Sequence, residues 1–142
     1  VDTAADRFPD NVPDHASATP ATAPATIARH APNDAWHMVM TYSHTLDLAI
    51  CQAVLDRGQF SYLGVIGSKT KRARFTRRLG DSGISPGMVD KMICPVGLPD
   101  LDGKEPSVIA ISIAADLLQR LSSARYVSDT ISASQLRGTM GS

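Results

Sequence analysis

Short, continuous apolar runs alternate with stretches of helical spacing from Trp36 onward. Trp36-His-Met-Val-Met-Thr41 has the apolar, branched character of a buried strand. Ser43 is placed to cap a helix in which Leu46, Ile50, Ala53 and Val54 recur at helical spacing until Gly58 stops it after Arg57. Phe60-Ser-Tyr-Leu-Gly-Val-Ile66, dense in aromatic and aliphatic residues, predicts a second strand. A basic helix follows over about Lys69 to Leu79, with Ala73, Phe75, Thr76 and Leu79 available to face inward and a close at Gly80 or Gly83. Ser85 to Lys91 reads as a short helix. Met92-Ile-Cys-Pro-Val96 reads as a short strand that Pro95 confines to an edge or an end. The last strong element starts at Glu105-Pro106 and runs through Val108, Ile109, Ile111, Ile113, Leu117, Leu118 and Leu121. Its first half is apolar nearly all round, which predicts burial on more than one side, against a sheet and a partner.

Strands that are continuous apolar runs, alternating with helices, imply an α/β fold: a Rossmann-like, three-layer αβα arrangement around a mostly parallel sheet. Ahead of it, residues 1–35 form a connecting arm cut by Pro9, Pro13, Pro20, Pro24 and Pro32, with one short helix near Pro24 to His30. Val1-Asp2 reads as the end of a strand already under way. The domain is expected over 1–125, and 126–142 as a Ser- and Thr-rich tail, either flexible or, at Gly138-Thr-Met-Gly-Ser142, a vector remnant. A chain of 142 residues suits one domain with a proper core.

The 14 basic and 14 acidic residues cancel, so no global field draws the protein to nucleic acid or an anionic membrane. No uninterrupted apolar run approaches the roughly 20 residues that cross a bilayer, and no signal-peptide pattern opens the chain. A cytoplasmic location is the expectation. Cys51 and Cys94 are too few for a disulfide framework and lack zinc-ligand spacing, so they read as buried reduced thiols.

Ligands of an open parallel sheet bind outside the carboxyl ends of its strands, and two such ends are readable. At the first, Thr41, Ser43, His44 and Asp47 place two hydroxyls, an imidazole and a carboxylate in one strand-to-helix turn. His44 is a candidate hydrogen-bond donor or proton carrier that Asp47 would orient. The structural alternative is that Ser43 caps the helix, Asp47 favours its positive end and His44 is solvated. At the second end, Gly67 allows close backbone approach, Ser68 offers an N-cap hydroxyl, and six of the chain's 14 basic residues fall between Lys69 and Leu79. Lys69, Lys71 and Arg72 stand in the first turn, where cations oppose the helix dipole unless an anion sits there. The rival is a solvated basic face. Neither a P-loop nor a G-x-G-x-x-G fingerprint occurs. A third loop, Cys94-Pro-Val-Gly-Leu-Pro99 followed by Gly103-Lys-Glu-Pro106, reads mainly as a rigid connection, with Lys104 as a further anion contact.

These three loops together resemble the XdhC/CoxI family, accessory proteins of xanthine dehydrogenase and related molybdenum hydroxylases. The matching stretches are Val39-Met-Thr-Tyr-Ser-His-Thr-Leu-Asp-Leu48, Tyr62-Leu-Gly-Val-Ile-Gly-Ser-Lys-Thr-Lys-Arg-Ala-Arg-Phe75, and Cys94-Pro-Val-Gly-Leu98 with Gly103-Lys-Glu-Pro-Ser-Val-Ile-Ala-Ile-Ser-Ile-Ala-Ala115. The resemblance implies a C-terminal Rossmann domain that binds molybdenum cofactor, supports its sulfuration and delivers it to a molybdenum hydroxylase, working with a cysteine desulfurase. It implies a chaperone rather than an enzyme. On that reading Gly67, Ser68 and Lys69 cradle the cofactor's phosphate with Lys71 and Arg72 assisting, while Ser43, His44 and Asp47 meet the pterin or metal end. Tyr42 departs from the pattern, standing where the family usually has histidine. The family's glycine-rich turn after the first strand is not found either, so the first β–α unit is expected to be missing, leaving sheet edges open to another chain or a second copy. The competing expectation is an NAD(P)- or nucleotide-binding oxidoreductase domain, with Asp2 in the position of a ribose-binding acid.

Overall fold

The computed structural model describes residues 1–101 and 103–138, with side chains described through Arg125. Val1–Pro95 forms one compact unit, and the chain from Val96 onward a second. In the first, a 3-10 turn at Ala5–Arg7 and helix α1 (Pro24–Arg29) lead into β1 (Trp36–Val39), α2 (His44–Arg57), β2 (Tyr62–Val65), α3 (Lys69–Asp81), α4 (Pro86–Val89) and β3 (Met92–Ile93). The three strands pair in parallel in the order β1-β2-β3, with Trp36 opposite Tyr62 and Leu63 opposite Met92. Parallel neighbours need crossover connections, and α2 and α3 are those crossovers. This is the α/β class that the alternation predicts.

Why β2 is so apolar is now plain. All four of its residues are buried, so neither face can carry a polar side chain without cost. Leu63, Val65, Val39 and Met92 from the sheet meet Cys51, Val54 and Leu55 of α2 and Phe75 and Leu79 of α3 in one core. β3 is shorter than Met92–Val96 because Pro95 has no N–H to donate to a ladder. The arm holds more structure than its prolines imply. Asp2 donates its N–H to the Thr19 carbonyl at 3.2 Å and accepts from Ala21 N–H at 2.8 Å, making an isolated parallel bridge with Pro20.

The second unit is dominated by α5 (Pro106–Gly138). It continues beyond Arg125, the limit expected for regular structure; of the expected tail remnant, Thr139 to Ser142 lie outside the described residues. Within its own unit α5 buries one side. Among its described side chains Ser112, Ile113 and Asp116 are buried, whereas Ile111 is 63% and Leu118 65% exposed. The buried side is the polar one because it serves the preceding loop. Ser112 Oγ accepts from Leu98 N–H at 2.8 Å, and Asp116 accepts from Gly97 N–H at 3.3 Å and from Arg120 at 2.8 Å. The segment Pro106–Arg125 is also long and apolar enough to cross a membrane, at a mean hydropathy of 1.2. Counting only uninterrupted apolar runs overlooks it, since Ser112, Asp116 and Gln119 break the run.

Gly97 sits at φ 101°, where a side chain is strained, and a Cβ there would lie 2.6 Å from Ser112 Oγ. Replacing Gly97 by Ala is expected to destabilise the second unit by about 1–3 kcal/mol in urea unfolding. Adding Ser112→Gly removes the clash but also the acceptor of Leu98 N–H, so the double variant should stay below the parent. Full recovery in the double variant would contradict the strained-backbone account.

Candidate functional site

At the carboxyl ends of β1 and β2, two helices begin side by side. Ser43 caps α2 by accepting from Leu46 N–H, and Ser68 caps α3 by accepting from Lys71 N–H. Each cap satisfies one first-turn donor, which leaves the amides of His44 and Thr45, and of Lys69 and Thr70, without intrahelical acceptors. Each helix end carries about half a unit of positive charge. The two ends form one edge because their loops are fastened together.

The fastener is an ion pair. Lys71 Nζ lies 2.6 Å from Asp47 Oδ2 and 2.7 Å from the Ile66 carbonyl, with side-chain exposures of 6% for Lys71 and 0% for Asp47. Asp47 Oδ1 accepts from Thr41 N–H at 2.9 Å and from the Thr41 hydroxyl at 2.7 Å. The carboxylate is thus sated by one ammonium, one amide and one hydroxyl. Asp47 and Lys71 lie beneath the surface and Thr41 is half-buried, so the three brace the loops of this edge. Asp47 and Lys71, both expected to meet a ligand directly, spend their charges on each other. The glycine argument changes with it: a Cβ on Gly67 would stand 2.5 Å from Lys71 Cδ and 3.2 Å from its Cβ. Gly67 makes room for the lysine stem on its way to Asp47.

Arg72 is also committed inward. It donates to the Met92 carbonyl and pairs with Asp90 at 3.6 Å, holding β3 to the start of α3. What faces outward is smaller than the basic count implied. Lys69 and Thr70 are exposed, as is His44, and Arg74 donates to His44 Nδ1 at 2.7 Å, linking α3 to α2 across the edge. As an acceptor there, His44 carries its proton on Nε2, which is left to meet a ligand. Arg74 was not singled out in the sequence; its spacing from Lys69 to Arg78 offered no mark to separate it from Arg77, which pairs with Asp81. Lys104 is exposed in the loop before α5, in the second unit. Tyr42 is exposed, with the Arg7 guanidinium 3.8 Å above its ring.

Both thiols lie close below this edge. Burial, and then the Asp47 carboxylate, push Cys51 from 9.0 up to about 12, and burial raises Cys94 as well. A thiol raised on folding favours the native state fully below its unfolded value and loses that contribution as pH climbs towards the folded one. Cys51 therefore contributes stability up to about pH 9 that fades between 9 and about 12. Urea unfolding across that range should show the decline, and Cys51→Ala should flatten it. At neutral pH neither thiol should react with an aromatic disulfide until the chain is unfolded.

A parallel sheet whose carboxyl edge presents paired, capped helix starts over a buried brace has the architecture of a Rossmann-type domain. The XdhC Rossmann domain matches residues 2–117 of the 142. The chain belongs to that family, which is associated with maturation of xanthine dehydrogenase. No curated protein matches it.

Proposed function

We propose that the chain binds molybdenum cofactor by its phosphate at the joined starts of α2 and α3, and serves as a chaperone for cofactor sulfuration and insertion into a xanthine dehydrogenase-type hydroxylase. The observation that carries this is the pair of uncommitted helix starts, flanked by exposed Lys69 and by Arg74, over a brace whose own charges cancel. The residues fit the phosphate rather than the metal. Among the described residues no group of three His, Cys, Asp or Glu is arranged to hold a metal ion, while four first-turn amides, those of His44, Thr45, Lys69 and Thr70, remain for anionic oxygens. The cofactor brings the molybdenum that the client enzyme uses. The chain's residues bind the phosphate, orient the pterin beside His44 Nε2, and keep Cys51 and Cys94 out of the chemistry as buried thiols. A cysteine desulfurase and the hydroxylase are the partners this role requires, and the cytoplasm its setting.

Anaerobic titration with molybdenum cofactor tests the reading. Binding should saturate, and Lys69→Ala with Arg74→Ala should weaken it about tenfold while moving the unfolding free energy by under about 0.5 kcal/mol, as exposed charges do. Unchanged affinity would mean that the basic helix is only a solvated surface. One observation favours a nucleotide instead: Asp2 ends a bridged segment, where a ribose-binding acid belongs. Its carboxylate, however, already accepts from Thr3 N–H at 2.6 Å and pairs with Arg7 at 3.4 Å. Saturable NAD(P) binding, undiminished by molybdenum cofactor, would favour the nucleotide.

A further inference from the structure

β1 ends at Val39, and the turn that follows carries an aromatic ring into water. Thr41 turns inward, its hydroxyl on Asp47, while Tyr42 beside it is 62% exposed. One face of that ring is occupied. The Arg7 guanidinium lies 3.8 Å above its centre, and Arg7 Nε stands 3.4 Å from Asp2 Oδ1. Asp2 is fixed in turn: Oδ1 accepts from Thr3 N–H at 2.6 Å, and its backbone is bridged to Thr19 and Ala21. The start of the arm thus holds a planar cation over a ring at the carboxyl edge of the sheet.

With one face under Arg7, an exposure of 62% leaves the other face open to solvent. Neither the core nor the brace beneath this edge uses the ring. An arginine stacked behind an aromatic side chain steadies its plane, and a steadied plane with one free face suits a flat conjugated heterocycle. The ring also stands where a ligand is expected. Tyr42 precedes His44 by two residues, a span of at most about 7 Å, and His44 opens α2, whose free amides are proposed above to hold phosphate. Resting on that reading, we propose that the open face of Tyr42 is the stacking platform for the cofactor's pterin, with Arg7 as the positioning residue that supports the platform from behind. A pterin has the required chemistry: a flat conjugated ring for the tyrosine, and ring-nitrogen and carbonyl acceptors at its rim for the proton on His44 Nε2. Charge and plane are then recognised at separate ends of one edge, the phosphate by helix starts and the ring by Tyr42.

Two probes separate these ends. 6-Hydroxymethylpterin, which carries no phosphate, reads the platform through quenching of its fluorescence on stacking; inorganic phosphate, followed by calorimetry, reads the helix starts. The expected result with the 142-residue chain is saturable quenching that excess phosphate does not reverse. Tyr42→Ala should weaken pterin binding about tenfold, the usual size of one lost aromatic stack, and Tyr42→Phe should bind within about twofold of the parent. Arg7→Ala should weaken binding about threefold in the parent and no further in Tyr42→Ala, since Arg7 acts through the ring. Circular dichroism should be unchanged throughout, because Tyr42 and Arg7 are both exposed. Absence of saturable quenching, equal affinity of the parent and Tyr42→Ala, or a Tyr42→Phe variant as weak as Tyr42→Ala would each overturn the proposal. Tighter binding of adenosine than of the pterin would overturn it too, because the platform would then serve a nucleotide base. An equal loss from Arg7→Ala in both backgrounds would overturn the role of Arg7. Failure of phosphate to bind while Tyr42-dependent quenching persists would refute the helix-start reading and leave the platform standing; phosphate binding without Tyr42-dependent quenching would do the reverse.

Discussion

Asp47→Ala is expected to destabilise the first unit by about 3–5 kcal/mol, the usual cost of stranding a buried charge. The substitution leaves the Lys71 ammonium at 6% exposure with the Ile66 carbonyl as its remaining hydrogen-bond acceptor among the described residues, and removes the acceptor of Thr41 N–H and one of the two acceptors of its hydroxyl. Since domains of this size are stable by roughly 5–15 kcal/mol, such a loss consumes a large part of the margin. Urea unfolding should record it as a lower midpoint with an unchanged slope. The diagnostic experiment is the double variant Asp47→Ala, Lys71→Met, which removes the stranded charge. It should recover most of the loss, because replacing a whole buried pair with apolar groups is often close to neutral. If the single variant costs under about 1 kcal/mol, the pair is hydrated and braces nothing. Asp47→Asn separates charge from shape: it keeps an acceptor for Thr41 and should fall between the two.

Phe75→Ala should cost about 3–5 kcal/mol, as truncation of a large buried aromatic does. Phe75 is 1% exposed and sits one turn beyond Lys71 on the same face of α3, with the Lys71 ammonium 5.3 Å from its ring centre. It is the main apolar anchor of a helix otherwise rich in exposed cations, since Leu79 is the only other hydrophobic residue of α3 in the core. Phe75→Leu should recover part of the loss by refilling volume. What it does not recover includes the ring's attraction for the ammonium, worth about 0.5–2 kcal/mol. A double-mutant cycle of Phe75→Leu with Lys71→Met would isolate that coupling.

The strands and the two middle helices were legible because their burial patterns differ in period: β2 is apolar throughout, and α2 repeats at helical spacing between a serine cap and a glycine stop. The carboxyl-end edge that makes the candidate site was legible for the same reason, since ligands of open parallel sheets bind there. The roles within it were not. Lys71 and Asp47 are 24 residues apart, and a sequence displays a lysine's charge but not the route of its stem. The first turn of α3 therefore read as three cations awaiting an anion, when Lys71 had folded back under Gly67 and Arg72 had turned to Met92 and Asp90. The polar residues of α5 read as interruptions of an apolar helix. Ser112 and Asp116 are instead its buried contacts, bonded to the backbone of Gly97 and Leu98.

The buried brace also governs which sequences can replace this one. Loss of Asp47 strands an ammonium, loss of Lys71 strands a carboxylate, and any side chain at 67 evicts the lysine stem. Each one-step neighbour is therefore less stable than the starting point, although a chain changed at 47 and 71 together can be almost as stable. Single substitutions meet a valley, so Thr41, Asp47, Gly67 and Lys71 constrain one another, whereas exposed Lys69 and Arg74 lie outside the brace and carry no such coupling.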